Sequence, residues 1–316
     1  MRLATIDIGT NTVLLLVAEV DDSGIITPLA FEQRIPRLGR DVDRSGAIQI
    51  AAFDKIAWIL NEYKNLAKQL RAERIIACGT SAVRDASNNK EFLSYVKSVT
   101  GIDVEVLSGE AEALWTYRGA ISGFSGFALR AVVVDIGGGS TEISFYPSMD
   151  SQLKRNSFQI GSLRITERYF GHSPPTPEQM DEAAVFVRNG LYPLREYDFS
   201  NFTFVAVAGT ATTLACLDQH LMDFDVAMVS GYAMGRKSVG KWLGKLSAMT
   251  ATEIRSLSNA TEGREDILTA GVLVLYELMT QHHLESVLVS ERGLRYGLAR
   301  REWERRNPVK QQHGRK

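Results

Sequence analysis

The sequence predicts an α/β protein built from two copies of one domain, and three observations predict it. Asp7-Ile8-Gly9 and Asp135-Ile136-Gly137 stand 128 positions apart, each between two runs of aliphatic and β-branched residues that lack helical periodicity. After each glycine turn the chain repeats one order, a third strand-like run followed by helices alternating with short buried strands. Between the copies, Ser122-Gly123-Phe124-Ser125-Gly126 has the small-residue composition of a hinge.

In the first copy the strands flanking the turn fall at 3–8 and 13–18, residues 25–34 add a third, and 37–46 read as a polar loop. Over 48–70, Ala52, Ile56, Ile59, Leu60, Tyr63, Leu66, Ala67 and Leu70 form the stripe of an amphipathic helix. Residues 74–78 make a buried strand ending at Gly79-Thr80-Ser81, with Arg84 on the first turn of the next helix. A helix over 91–99 stopping at Gly101, a strand at 104–107 and a helix over 108–121 complete the copy. In the second copy, strand-like runs flank the turn, and Glu142-Ile143-Ser144-Phe145-Tyr146 alternates at period two. A third strand at 154–160 and a short helix at 162–169 follow. Thr176, Pro177 and Gln179 spell a capped helix start. A strand at 202–208 then runs into Gly209-Thr210-Ala211-Thr212-Thr213, which opens a helix. Helices at 236–248 and 266–282, a strand at 287–289 and a last helix at 291–303 close the chain. Domains are therefore expected at 1–124 and 125–304, the last helix packing back on the first. The tail at 305–316 carries Arg305, Arg306, Lys310, Arg315 and Lys316 without an acid, and is expected to be disordered.

At 316 residues and 45% hydrophobic content the chain can bury two cores. A net charge of −1 speaks against a nucleic-acid partner for the whole protein. Cys78 and Cys216 lie far apart in apolar segments, reading as core thiols in a reducing compartment. No apolar run reaches the about 18 residues of a membrane span and no leader pattern precedes the first strand, so a cytoplasmic protein without a membrane partner is expected.

The chemistry concentrates in the turns. Consecutive glycines let several backbone N–H groups converge on one anion, so Gly137, Gly138 and Gly139 with Ser140 and Thr141, and Gly9 with Thr10, Asn11 and Thr12, read as phosphate grips. A strand rather than a helix follows the glycines, and neither GxGxxG nor GxxxxGK[ST] occurs, which excludes the dinucleotide fingerprint and the P-loop. Gly209 and Thr210 offer a third anion site at a helix start, equally explained by an ordinary N-cap. Acids beside phosphate grips need a counter-charge. Asp135, Glu142 and Asp7 are best explained by Mg²⁺ or Mn²⁺, with an Asx turn the competing reading for Asp135 and Asp7, closest for Asp7. Arg84, beyond a strand end, has the planar fork suited to phosphate. Glu110 and Glu112 start a helix, where acids are common for dipole reasons alone.

Taken together, these residues resemble the exopolyphosphatase and guanosine pentaphosphate phosphohydrolase (Ppx/GppA) phosphatases of the sugar kinase, Hsp70 and actin superfamily. The resemblance runs through Asp7 to Thr12, Gly79 to Arg84, Ser108 to Ala113, Asp135 to Glu142, Gly161-Ser162-Leu163-Arg164-Ile165-Thr166-Glu167, Gly209 to Thr213 and Ser290-Glu291-Arg292-Gly293-Leu294-Arg295. It implies two RNase H-like (actin-like ATPase) domains with an interdomain cleft, in the short two-domain form. It also implies Mg²⁺-dependent hydrolysis of a terminal phosphoanhydride, with Glu112 as the base. The family motif carries a second acid where this chain has Ala111, which raises the question whether Glu110 substitutes, and Ser230-Gly231 stands where many members have His-Gly. Inorganic polyphosphate is the expected substrate and guanosine pentaphosphate the runner-up. A kinase of the same superfamily or a non-catalytic phosphate-binding regulator is the further alternative, and a homodimer is admitted.

Overall fold

The computed structural model describes residues 1–39, 42–124, 130–148, 151–171 and 173–308. The chain divides into two compact units, Met1–Gly119 together with the segment from Arg292, and Ala120–Glu291. Ser125 and Gly126 of the expected hinge and the tail beyond 308 lie outside the described residues, whereas Arg305 and Arg306 form the last turn of a helix.

The first unit contains β1 (Arg2–Ile8), β2 (Val13–Val20), β3 (Ile26–Arg34), α1 (Val42–Ser45), α2 (Ile50–Gln69), β4 (Arg74–Gly79), α3 (Ser81–Asp85), α4 (Asn89–Thr100), β5 (Val104–Val106) and α5 (Gly109–Ile121). Its sheet runs β3-β2-β1-β4-β5, antiparallel among the first three strands and parallel from β1 onward. Alternation along β1 divides its residues between two faces. Ala4, Ile6 and Ile8 enter the core under α2 and α4 with Phe53, Ile56, Leu60 and Phe92. Leu3 belongs to the opposite face, whose apolar cover comes from Tyr296, Ala299 and Trp303. Those residues lie on the last helix of the chain, Leu294–Arg306. Thr5 and Asp7 share the face of Leu3, and the Thr5 hydroxyl donates to the Arg295 carbonyl at 3.0 Å.

The second unit contains β6 (Ala131–Ile136), β7 (Thr141–Phe145), β8 (Lys154–Phe158), α6 (Ser162–Ile165), α7 (Pro177–Leu191), β9 (Thr203–Val207), α8 (Ala208–Asp218), α9 (Val226–Val229), β10 (Ala233–Gly235), α10 (Arg236–Leu246), α11 (Ala251–Arg255), α12 (Leu268–Gln281) and β11 (Ser286–Val289). The final helix, returning to the first unit, is α13. The sheet order β10-β11-β9-β6-β7-β8 repeats the first sheet with β10 added antiparallel at the edge. Val132, Val134 and Ile136 point into the core, where Leu214, Leu273 and Leu275 of α8 and α12 meet them. The start of α7 carries the capping box, with Thr176 Oγ1 accepting from Gln179 N and Gln179 Oε1 from Thr176 N. The segment expected as one helix at 162–169 is α6 followed by a π-helical turn, Thr166–Phe170. Both cysteines are buried and free. Among the described residues no helix is long and apolar enough to cross a membrane.

Candidate active site

The two glycine turns have the same internal geometry. Gly9 N donates to the Thr12 carbonyl at 3.0 Å, and Gly137 N donates to the Ser140 carbonyl at 2.9 Å. In each unit the segment after the third strand then ties down the carbonyls of the turn. In the first, Gly39 N reaches the Thr10 carbonyl at 2.7 Å and Arg37 N the Asn11 carbonyl at 3.1 Å. In the second, Ser162 N holds the Gly137 carbonyl at 2.9 Å, and Leu163 N and Arg164 N share the Gly138 carbonyl at 2.9 and 3.1 Å. Arg164 Nε takes the Gly139 carbonyl at 2.7 Å. In a trans peptide the N–H points away from its carbonyl, so tying the carbonyls on one side turns the following amides to the other. The amides of Asn11 and Thr12, and of Gly138, Gly139 and Ser140, take no acceptor among the described residues. Successive backbone donors left without an acceptor are what an anion site requires.

The side chains of the turns divide differently from the sequence expectation. Thr10 and Ser81 share a hydrogen bond at 2.9 Å, and Asn11 is buried with Oδ1 unpartnered. Thr141 pairs with Ile136 in the sheet and so faces the core, where its hydroxyl donates to the Ile160 carbonyl. It therefore anchors the turn and does not extend toward an anion. Ser140 and Thr12 remain partly exposed.

Asp7 lies at the end of β1 on the face covered by α13, and Oδ1 is buried without a hydrogen-bond partner. Burial pushes its carboxyl up to about 7, the Glu112 charge adds to the rise, and Arg295 opposes it. Glu112 sits in the first turn of α5, and Arg84 Nη1 donates to its Oε2 at 2.7 Å and to the Leu107 carbonyl at 3.2 Å. Arg84 Nε also reaches Asp85 at 3.2 Å. Burial disfavours the Arg84 charge, but the hydrogen bonds and charges of Glu112 and Asp85 together outweigh it and the guanidinium is held above its usual range. Arg84 thus orients a carboxylate at the distance of a direct ion pair. Ala111 packs with Trp115 against Cys78, Leu294 and Leu298, and Glu110 is exposed. Residues two apart on a helix do not share a face, so Glu110 is not positioned to replace a neighbour of Glu112.

In the second unit Asp135 pairs with Glu142 across β6 and β7, and Glu142 pairs with Ser157 across β7 and β8, forming one polar row. Directly opposite residues on one face keep their Cβ atoms within about 5.5 Å, so the two carboxyls are neighbours. The Ser157 hydroxyl donates to Glu142 at 2.7 Å, and Arg155 approaches to 3.8 Å. Among the described residues no group of three or more His, Cys, Asp or Glu could hold a metal. The donors fit Mg²⁺ held by one or two carboxylates plus substrate phosphate, its usual mode, and do not form an all-protein cage.

The third expected grip is built otherwise. Thr210 is buried against Gly271 of α12, and the Arg264 guanidinium lies against Gly209. Ala208, just before Gly209, takes the left-handed conformation at φ 66°. What the first turn of α8 presents is backbone and the buried Arg264, a cation not apparent in the sequence because it lies 55 positions away.

Residues 16–305 match the model of the Ppx/GppA phosphatase family. Exopolyphosphatase 2 of Mycobacterium tuberculosis is 32% identical over 312 residues, spanning 94% of this chain and 97% of that protein. The guanosine-5'-triphosphate,3'-diphosphate pyrophosphatase of Photobacterium profundum is 27% identical over 300 residues, 93% of this chain and 58% of its own length. A crystal structure of the Aquifex aeolicus Ppx/GppA family member is 30% identical and superposes with a TM-score of 0.82, covering 97% of this chain and 99% of that one. Paired glycine turns on repeated sheets, an Arg84–Glu112 ion pair beyond the first and a matching family model along nearly the whole chain lead to one conclusion: the protein belongs to the Ppx/GppA phosphatase family, phosphoanhydride hydrolases on the two-domain actin-like ATPase fold.

Proposed function

We propose that the protein is an exopolyphosphatase that removes the terminal phosphate of inorganic polyphosphate as orthophosphate. The observation that carries the reading is the doubled turn, in which tied carbonyls leave, in each unit, a set of backbone amides for phosphate. Glu112 orients the attacking water and takes its proton. The water oxygen bonds the terminal phosphorus, the anhydride P–O bond breaks, and its electron pair leaves on the shortened chain. Arg84 holds the Glu112 carboxylate in register through its 2.7 Å bond. Asp135 and Glu142 would hold Mg²⁺ with the substrate's oxygens, and the ion when bound supplies neutralisation of phosphate charge. Asp7, whose buried oxygen lacks a donor and whose carboxyl is pushed up to about 7, is a carboxyl of the first unit suited to a cation or a proton.

Polyphosphate is favoured over guanosine pentaphosphate by end-to-end similarity to Exopolyphosphatase 2, against 58% coverage of the pyrophosphatase. The test is orthophosphate release with Mg²⁺ from polyphosphates of several lengths and from guanosine pentaphosphate side by side. A higher kcat/KM on polyphosphate is expected; preference for guanosine pentaphosphate reverses the assignment.

A further inference from the structure

The geometry points to Arg164 as a positioning residue that sets the anion affinity of the second glycine turn from behind, without touching the phosphate. This rests on the phosphate-gripping reading of that turn. Three successive carbonyls, those of Gly137, Gly138 and Gly139, are all engaged by the segment 162–164. The first two are held by neutral donors, the backbone amides of 162–164 and the Ser162 hydroxyl at 3.2 Å. The third is held by a cation, Arg164 Nε at 2.7 Å, whose Nη2 in turn donates to Gln159 Oε1 at 2.9 Å. The peptide joined to the Gly139 carbonyl ends in the Ser140 amide. A guanidinium on the carbonyl end of that peptide both fixes the direction of the N–H and polarises it, since charge-assisted hydrogen bonds strengthen their neighbours in a chain.

Close packing reinforces the arrangement. A Cβ on Gly161 would come within 2.2 Å of the Gly138 carbonyl oxygen, so only glycine lets α6 begin this near the turn. The first turn has no such cation among the contacts described: the Thr10 and Asn11 carbonyls are held by the backbone amides of Gly39 and Arg37. The two grips, alike in their internal hydrogen bond, differ in the donors described on their carbonyls. Interactions made equally with bound substrate and transition state move KM and leave kcat in place, which is the signature expected of a residue that only orients donors.

The experiment compares wild type with Arg164→Met, Arg164→Lys and Gln159→Ala in two assays. The first is steady-state phosphate release from polyphosphate; the second follows the Ser140 amide by ¹⁵N NMR during titration with pyrophosphate and Mg²⁺. Arg164→Met should raise KM about tenfold with kcat within about threefold, and weaken the pyrophosphate response of the Ser140 amide by a similar factor. Arg164→Lys, keeping the charge and one donor, should recover part of both, and Gln159→Ala should move both in the direction of Arg164→Met by less. An unchanged KM and amide response in Arg164→Met overturns the inference. So does a full effect in Arg164→Met with none in Gln159→Ala, which would mark Arg164 as a direct phosphate ligand. Should Arg164→Met not fold, Gln159→Ala decides by the same readings. A wild-type Ser140 amide that ignores pyrophosphate removes the inference and the grip together. A wild type that binds pyrophosphate but releases no phosphate removes only the hydrolytic reading.

Discussion

Asp7→Asn isolates the energetic cost of the first unit's turn. In the folded protein the Asp7 carboxyl titrates near 7, against an ordinary value of 3.8, because it is buried and faces the Glu112 charge. A raised folded-state value means stability that is present below about pH 4 and lost as pH climbs through 7, since the unfolded chain releases its proton first. At 1.36 kcal/mol per unit, keeping this group in the fold costs about 4 kcal/mol at pH 8, where it is ionised, and about 2 kcal/mol at pH 5, where the folded carboxyl holds the proton that the unfolded chain releases. Asparagine keeps the shape and removes the ionisation. Its stability advantage should therefore grow by about 2 to 3 kcal/mol between pH 5 and pH 8. Urea unfolding at the two pH values, followed by probes in the first unit, measures this directly. Adding Mg²⁺ at pH 8 should stabilise wild type and leave the variant unmoved if the cation occupies Asp7. The variant's phosphate release should fall as its stability rises. An advantage equal at both pH values, or a loss of stability at pH 8, would refute the electrostatic account of this residue.

Other outcomes follow from the same geometry. Glu112→Ala should cut kcat by about 10²- to 10⁴-fold while polyphosphate still binds in a direct binding measurement; near-normal phosphate release would remove Glu112 from the role of base. Glu110→Ala should leave kcat within about twofold, because Glu110 is exposed on a different side of α5; a tenfold loss would show that it does replace the acid missing at Ala111. Gly39→Ala places a Cβ 2.2 Å from Thr10 Cγ2, so the segment holding the first turn must shift and KM should rise by about tenfold or more. An unaltered KM there would mean that the Thr10 carbonyl need not be tied for the grip to work.

Where hydrogen bonds and side-chain patterns are local, the sequence by itself determined the outcome. Aliphatic and β-branched runs placed the strands around both turns, with period two after the second, the stripe from Ile56 to Ala67 placed α2, and Thr176, Pro177 and Gln179 placed the start of α7 to the residue. The repeat of Asp-Ile-Gly already pointed to two copies of one domain, which the repeated sheet order matches. Short elements escaped: β10 is three residues long, and α9 and α11 are four and five, so neither period has room to declare itself. Tertiary structure alone decided the rest. It turned the Thr141 hydroxyl to the core and laid Arg264 against Gly209. It joined Arg84 to Glu112 across 28 positions and brought Arg164 back onto Gly139 across 25. These pairings depend on how helices settle on a sheet, a matter of packing between residues distant in the chain, which no local periodicity encodes. The same packing buried Asp7 beside Glu112 and so gave a carboxylate visible in the sequence the proton affinity it has in the fold.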